Sequence, residues 1–496
     1  MSIITDTVLT IKGYSIPKTK LSEEHLKKLE KELIVAPITP QQYVKTSSPF
    51  SLYMMSSTRY YLPRHYGIKM FGKPEKITIP NGDDLREELA FTIKLREYQK
   101  EIEKIVETNE YNGIISVPCG YGKTLMSIKF ARNIGKKFLV IVHKEFLMAQ
   151  WMDELSKSLP GIKIGKIQGE KLEIGDEFDC AIGMIQTLCS RTYASGTFSS
   201  FGFAIFDECH HLGAEVFSRA LQQIHTKHMI GLSATPDRSD GLRKVFEYYL
   251  GPIIYQIKKR DADKSVQVKI LNYTTGTEPY CDTPTNWKGE VNMPKLVNLI
   301  AEDNERNNLI VEKILPILHE SERQTLILSD RREHLTTFFN KLTKDKKNPV
   351  KESDVGFYLG GMKQTDLDNS ATKRVILGTF AMAAEGMNIP TLNTLLLATP
   401  KGDITQSVGR ILRQKPEERK TYPLIIEVVD RIHDNCVTKF YRHSKFYKTC
   451  GYKVSHFKEG GEEDKKSEGE DEIEEDESKE DMIEHVGGYE NPFLDD

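Results

Sequence analysis

Between residues 91 and 255, short runs of Val, Ile, Leu and Phe alternate with longer stretches of helical periodicity. The apolar runs are 113–117, 138–142, 179–185, 203–206 and 228–232. The same alternation returns between 306 and 435, with runs at 325–328, 375–377, 394–398 and 424–429. Such near-continuous runs are what strands buried on both faces require, whereas a half-exposed strand alternates polar and apolar residues. The pattern predicts an α/β fold: two tandem parallel-sheet domains at 91–255 and 306–452, each with helices on both sides of its sheet. The intervening segment, 256–305, carries Thr-Thr-Gly-Thr and proline-containing stretches and is expected to be a linker. Residues 1–90 are expected to form a separate N-terminal accessory region with a charged helix at 21–33, and no solenoid-type repeat is present.

The 496 residues are 39% hydrophobic and 28% charged, which suits a soluble protein of two or three domains. No apolar run approaches the length of a membrane span, and the N-terminus lacks the basic and apolar regions of a signal peptide. Seven cysteines without a CxxC pair suggest a reducing compartment, so a soluble intracellular location, or a virion, is expected. The net charge of −3 hides a split. Residues 459–496 hold 18 acidic and 3 basic residues, which leaves 66 basic against 54 acidic, a net of +12, in 1–458. A basic body fits a polyanionic partner, although scattered surface lysines produce the same excess. The acidic stretch at 453–496 reads as a disordered tail: a polyanion mimic, a soluble tether or a docking site for protein partners.

Two motifs supply chemistry. The run at 113–117 ends in Pro118-Cys119-Gly120-Tyr121-Gly122-Lys123-Thr124, a glycine-rich turn leading into a helix. Backbone N–H groups of such a turn face a phosphate, Lys123 would reach the β- and γ-phosphates, and the Thr124 hydroxyl would ligate Mg²⁺. Val117 occupies the place of the first glycine of the usual phosphate-loop pattern, while Gly120 and Gly122 still permit close approach. The run at 203–206 ends in Asp207-Glu208-Cys209-His210. There Asp207 would hold Mg²⁺ and Glu208 would polarise the attacking water, so ATP and Mg²⁺ are the expected cofactors. Cys209, His210, His211, His225 and His228 also admit a zinc reading, against which stand the carboxylates and the lack of a second well-placed cysteine. Ser233-Ala234-Thr235-Pro236 follows the next apolar run, and its hydroxyls could relay the state of the γ-phosphate through His210. In the second domain, Gln406, Arg410 and Arg413 share one face if they stand on one helix, and would present two guanidinium groups to phosphate. Gly409 between them suggests close backbone approach.

In order and identity these motifs resemble those of superfamily 2 helicases with a DEAD/H-type box. The segment Leu95-Arg-Glu-Tyr-Gln99 is similar to the family's adenine-side Gln motif. Residues 138–150 with Trp151 resemble motif Ia, and Met184-Ile-Gln186-Thr187 resembles Ib. Residues 325–329 resemble IV, and Gly378-Thr379 through Asn388-Ile-Pro390 resembles V. Arg238-Ser239-Asp240 is similar to the Arg-Glu-Asp element of the XPB-type branch, within which the chain looks most like the short helicases of large DNA viruses, including the poxvirus transcript-release type. The resemblance covers 91–435 and implies two RecA-like domains and an ATP-dependent helicase or translocase. It also implies nucleic-acid contacts from Lys144, Gln186, Thr187, Arg238, Asp240 and Thr379, largely to backbone phosphates. Three residues depart from the family: Asn388 for an Asp, Ser407 for an Arg and Ser239 for the Glu of the Arg-Glu-Asp element.

DNA, single-stranded or duplex, is the expected partner, with 3′ to 5′ polarity implied by the branch alone. An RNA helicase and a non-catalytic nucleic-acid-binding scaffold are the alternatives, and pumping without unwinding stays open. Between 48 and 73 there is no acidic residue, and Arg59, Arg64, Lys69 and Lys73 alternate with Tyr60, Tyr61, Tyr66 and Phe71. This interleaving suits either stacking on unpaired bases or packing of the aromatics against the first domain. Residues 440–448 are expected to form a helix capping the second domain.

Overall fold

The computed structural model describes residues 5–35, 49–118, 120–209, 215–234, 243–257, 262–345, 348–385, 387–414 and 416–457. The chain divides into two compact units, with described residues up to 257 in one and from 262 in the other.

The first unit is built on an eight-stranded sheet. Its order is Lys171–Leu172, Ile164–Gln168, Cys180–Met184, Phe138–Val142, Phe203–Phe206, His228–Ser233, Asn112–Ser116 and Ile253–Gln256. All neighbours are parallel except the first pair, a short hairpin at one edge. The reason for the apolar runs is visible residue by residue. Phe138, Val140 and Val142 enter one core and Leu139 and Ile141 the other, and Phe203/Ile205 and Ala204/Phe206 divide in the same way. A period-two chain between two helical layers leaves no polar face.

Residues 5–35 and 49–79 form a second, five-stranded sheet in the order Met54–Met55, Arg59–Leu62, Gly13–Pro17, Val8–Thr10, Lys76–Ile77. The expected separateness of residues 1–90 is corrected here. Tyr14, Ile16, Leu62 and Tyr66 share one apolar cluster with Leu221, Phe246, Tyr249 and Leu250 of the α/β unit. The joint is sealed by Arg64, which is 1% exposed and donates to Asn112 Oδ1 at 3.2 Å, to the Lys227 carbonyl at 3.1 Å and to the Thr226 carbonyl. One buried histidine, His225, and two half-buried ones, His65 and His228, lie within electrostatic reach of this cation. Burial first, and Arg64 after it, push His65 and His225 down to about 3; burial takes His228 to about 4 against the pull of the Glu110 carbonyl, with Lys227 and then Arg64 adding to the drop.

The second unit carries seven strands, all parallel: Val355–Tyr358, Val375–Thr379, Thr325–Ser329, Thr394–Leu397, Leu424–Asp430, Gln267–Tyr273 and Lys453–His456. Leu326 and Leu328 face one core and Ile327 the other, as in the first sheet. Two boundaries are corrected. The expected linker at 256–305 contains the strand Gln267–Tyr273 and the helix Met293–Glu302, both belonging to this unit. The expected tail at 453–496 begins with an edge strand, Lys453–His456, that pairs with Gln267–Ile270. Residues 458–496 lie outside the described residues. The expected C-terminal helix runs over Asp434–Thr449 and buries Phe440 and Tyr447, while Glu427 accepts from Tyr447 at 2.7 Å and meets His443 Nδ1 at 2.6 Å. Among the described residues no helix is long and apolar enough to cross a membrane.

The histidine-lined joint makes the first unit acid-sensitive. Each folded histidine value lies below the ordinary 6.5 or so, so the unfolded chain binds more protons between about pH 6.5 and 3, and stability falls as pH falls through that window. Each histidine is expected to contribute about 2 kcal/mol of loss between pH 7 and 5. Thermal melts at pH 8, 7, 6 and 5 should show the first unit's midpoint flat above 7 and dropping steeply below 6; a midpoint unchanged at pH 5 contradicts the account.

Candidate nucleotide site

In a parallel sheet every strand delivers its C-terminal end to the same edge, and the first unit gathers its chemistry there. The strand Asn112–Ser116 continues through Val117 and the glycine-rich turn into the helix Lys123–Ile134. Both glycines of the turn are left-handed, with φ of +90° at Gly120 and +76° at Gly122. A Cβ on Gly122 would also lie 2.5 Å from Gln99 Nε2, so neither its conformation nor its space admits a side chain. Gln99 is 3% exposed and braces the turn from behind. Its Nε2 donates to the Tyr121 carbonyl at 3.1 Å and its Oε1 accepts from the Arg96 N–H at 2.9 Å. Thr124 sits half-buried at the start of the helix. Cys119 lies outside the described residues.

Lys123 turns back across the loop. Its Nζ lies 3.5 Å from the Val117 carbonyl and 3.5 Å from Glu208 Oε1. Asp207 and Glu208 follow the strand Phe203–Phe206, with the Asp207 N–H still donating to the Ile141 carbonyl at 3.0 Å. Glu208 has a φ of +48°, sparsely populated for a residue with a side chain and characteristic of positions held by function. Burial, and then the Glu208 carboxylate beside it, raise Asp207 above the usual carboxylate range, against the opposing pull of Trp151 and Lys123. A divalent cation relieves both causes, and hard carboxylate and hydroxyl oxygens are the ligands Mg²⁺ prefers. Asp207 and Thr124 therefore fit Mg²⁺.

One site residue was not assigned a role from the motifs. Trp151, 1% exposed on the helix Glu145–Ser158, donates its indole N–H to Asp207 Oδ2 at 2.9 Å. Together with the Glu208 N–H on Oδ1, at 3.0 Å, it fixes the carboxylate in one orientation. Its place after Gln150 in the Ia-like segment is the only signal, and nothing in the sequence pairs it with residue 207. Ser233 ends the neighbouring strand, fully buried, and its carbonyl accepts from the Val117 N–H at 3.0 Å. His210, Thr235, Arg238 and Asp240 lie outside the described residues, so neither the relay through His210 and Thr235 nor the nucleic-acid contacts of Arg238 and Asp240 are placed. The zinc reading includes His210 and His211, which lie outside the described residues; among the described ones no group of three His, Cys, Asp or Glu side chains could hold a metal. Cys209 is buried with its thiol pushed far up by that burial, and His228 Nδ1 is taken by the Glu110 carbonyl at 2.6 Å.

In the second unit the helix over Thr405–Arg410 ends at Arg410, so Arg413 is not one further turn along it as expected. The two arginines converge by another route. Arg410, 7% exposed, donates to the carbonyls of Ala383 at 2.6 Å and Met387 at 2.8 Å. Arg413 reaches the same Met387 carbonyl at 2.9 Å and the side-chain oxygen of Asn388. Gly409 is buried, and the helix packs on Phe380–Glu385. Gln406 is half-buried on the same helix.

A family model described as the type III restriction enzyme res subunit matches residues 92–238. A protein of Acanthamoeba polyphaga mimivirus that carries the name of an ATP-dependent RNA helicase is 30% identical over 463 residues, covering 91% of this chain and 87% of its own. The chain belongs to the superfamily 2 helicases. A DNA 3′-5′ translocase of Sulfurisphaera tokodaii, XPB2, is 26% identical and matches 68% of this chain and 82% of its own. Among solved structures, S. cerevisiae Dbp5 bound to RNA and ADP BeF3 superposes with a TM-score of 0.51 at 13% identity, over 73% of this chain and 90% of its own. That likeness carries the RecA-like fold alone.

Of the residues assigned to nucleic acid in this helicase, several are already occupied. Gln186 Nε2 donates to the His143 carbonyl at 2.7 Å, tying the Ib-like helix to the end of the Ia-like strand. Thr187 is 9% exposed and its hydroxyl accepts from the Gly169 N–H at 3.1 Å, which makes it a brace. Lys144 caps the helix Glu145–Ser158 and Thr379 ends the strand Val375–Thr379, both half-buried at the C-terminal edges of their sheets. The basic–aromatic segment at 48–73 resolves toward packing. Tyr66 is 1% exposed and meets Tyr248 edge-on at 4.9 Å, Arg64 is the buried joint, and Arg59 pairs with Asp6 at 2.9 Å.

The indole–carboxylate bond can be tested in isolation. Trp151→Phe keeps the packing and removes the donor, and a lost partner of this kind costs about 10- to 100-fold in metal affinity or turnover. The expected result is a rise in the Mg²⁺ concentration needed for half-maximal ATPase, with little change in thermal midpoint; unchanged Mg²⁺ dependence refutes the positioning role.

Proposed function

We propose that this helicase hydrolyses ATP with Mg²⁺ to move along DNA, 3′ to 5′, in viral-type transcription, repair or replication. The observation that supports the hydrolytic part is the grouping of Lys123, Glu208, Asp207 and Trp151 at one strand edge beside two left-handed glycines. Lys123 exchanges Glu208 for the β- and γ-phosphates and the turn's N–H groups cradle them, while Thr124 and Asp207 would hold Mg²⁺, whose charge would offset that of the phosphates. Glu208, relieved of Lys123, orients the attacking water. Arg410 and Arg413 act on the γ-phosphate, a contribution of roughly 10³–10⁵ in rate where such arginines operate. Gln99 serves the adenine side through the turn it braces, Lys144 and Thr379 contact the strand, and Gln186 and Thr187 hold the Ib-like helix in place beside it.

The choice of DNA leans on the name of the archaeal translocase. An RNA helicase is the second reading, favoured by the name of the mimivirus relative. Steady-state ATPase of the full chain separates them, measured without nucleic acid and with single-stranded DNA, duplex DNA or RNA. Stimulation by DNA and little by RNA supports the first reading, and the reverse replaces it with the second. Lys123→Ala should abolish turnover in every condition. Arg413→Ala should lower kcat about 10³-fold or more while leaving the KM for ATP within a few-fold. Retained turnover in Arg413→Ala removes that residue from the mechanism.

A further inference from the structure

The chain has two tryptophans with opposite surroundings. Trp151 is buried beneath the nucleotide site, whereas Trp287, in the second unit, is 89% exposed. A single exposed indole is ordinary by itself, but one held out on an ordered turn presents a fixed aromatic face. The mount here is rigid. Trp287 sits at the tip of a turn closed by the Thr285–Val291 bridge and by bonds from the Asn286 N–H to the Glu290 carbonyl, at 2.8 Å, and from Gly289 to Asn286, at 3.0 Å. The Asn286 side chain fills the turn from inside, accepting from the N–H groups of Lys288 at 2.9 Å and Glu290 at 3.1 Å. Below the tip, Tyr280 donates to the buried Asp430, which Arg306 also holds, and Thr283 Oγ1 meets His433 Nδ1 at 2.9 Å. A floppy surface loop needs no such anchoring.

The surroundings of the turn suit a polyanion. Lys288 Nζ lies 4.9 Å from the indole centroid, so the tip offers an aromatic face beside an ammonium group. At its foot, Lys439 Nζ is 4.0 Å from Met293 Sδ, and Lys401 and Arg442 are near enough to act on Lys439 electrostatically. Lys401 also lies 5.1 Å from the ring of Phe380, the neighbour of Thr379, and Asp330 is its acidic partner at 3.1 Å. The segment leading to the turn leaves the C-terminal end of the strand Gln267–Tyr273 and is tied by Tyr280 to Asp430 at the end of the next strand, the same edge at which Thr379 ends its own. Four strand spacings separate Gln267–Tyr273 from Val375–Thr379, about 19 Å at roughly 4.8 Å each. Cations thus line the edge between a candidate phosphate contact and an exposed aromatic.

We propose that Trp287 is a stacking platform for an unpaired nucleobase, with Lys288 and the Lys401–Lys439–Arg442 group drawing the strand along this edge from Thr379. The inference rests on the helicase reading and adds a contact outside its motifs. Indole stacking is indifferent to base identity, as a translocating engine requires. A protein partner fits less well, because a single aromatic tip flanked by lysine lacks the apolar core that protein interfaces bury.

The test uses the full chain and no nucleotide, so that Trp151 stays constant. Oligothymidylate and oligouridylate are titrated into wild type, Trp287→Ala, Trp287→Phe and Lys288→Ala, following tryptophan emission and, separately, anisotropy of a labelled strand. The expected result is quenching in wild type that disappears in Trp287→Ala, whose affinity falls about 5- to 150-fold. Trp287→Phe should recover most of that affinity. Lys288→Ala should reduce the slope of log K against log salt by about 0.7. ATPase without nucleic acid should match wild type in all three variants. Wild-type emission left unquenched by a saturating strand, or wild-type affinity in Trp287→Ala, overturns the proposal and reassigns the tip to a protein contact. If no strand binds or stimulates wild type at all, it is the helicase reading that fails.

Discussion

Two adjacent carboxylates in a half-buried site set the central constraint on the first unit. Asp207 and Glu208 cannot both stay ionised so close together without compensating charge. Lys123 supplies it, lying 3.5 Å from Glu208, while Asp207 rests on the indole of Trp151. The same ammonium lies 3.5 Å from the Val117 carbonyl, so the cation that balances the acids also bears on the phosphate turn. In the proposed cycle this arrangement is a waiting state. Bound phosphates would draw Lys123 away, and a divalent cation held by Asp207 and Thr124 would supply the positive charge that the acids then lack.

That balance depends on where strands end. The Asp207 N–H on Ile141 and the Val117 N–H on Ser233 are ladder bonds carried one residue past the strands. Each fixes the first irregular residue of a functional loop to the rigid sheet, where sites are held more firmly than on free loops. Gln99 adds support from outside the sheet by filling the space that a side chain at residue 122 would need. The glycine and the glutamine are packed together, so a change at either reaches the other.

The parallel strands were legible because burial on both faces leaves an unbroken apolar signature, as at 138–142 and 394–397. The strand Gln267–Tyr273 was not. Its Gln, Lys and Asn interrupt the run, with Gln267 and Lys269 half-buried and Asn272 exposed, so the segment read as linker. Lys453–His456 was missed for a related reason: all four residues are exposed, and an edge strand is specified by its pairing partner. The phosphate turn and the acidic pair carry their chemistry in residue type and spacing and were readable directly. Trp151 as the holder of Asp207, and Tyr66 as core, depend on contacts between distant segments, which no local pattern encodes. Arg413 failed through helix length: the spacing from Gln406 suits one helix face, but the helix stops at Arg410.

That early stop gives Asn388 a role. Leaving the helix lets Arg413 fold back onto the Met387 carbonyl and the Asn388 side-chain oxygen, both neutral acceptors. The Asp usual at this position in the family would hold the guanidinium with a charge-assisted pair, roughly twice as strong as a neutral hydrogen bond. An arginine proposed to serve a phosphate must first leave its resting partners, and an amide or a carbonyl among them holds it less firmly than a carboxylate would. Arg410, by contrast, is 7% exposed and bonds two carbonyls of the 383–387 segment, so its release would disturb buried structure. The asymmetry orders the pair: Arg413 gives up its exposed contact with Asn388 more readily than Arg410 gives up its buried ones, and both are proposed to serve the γ-phosphate.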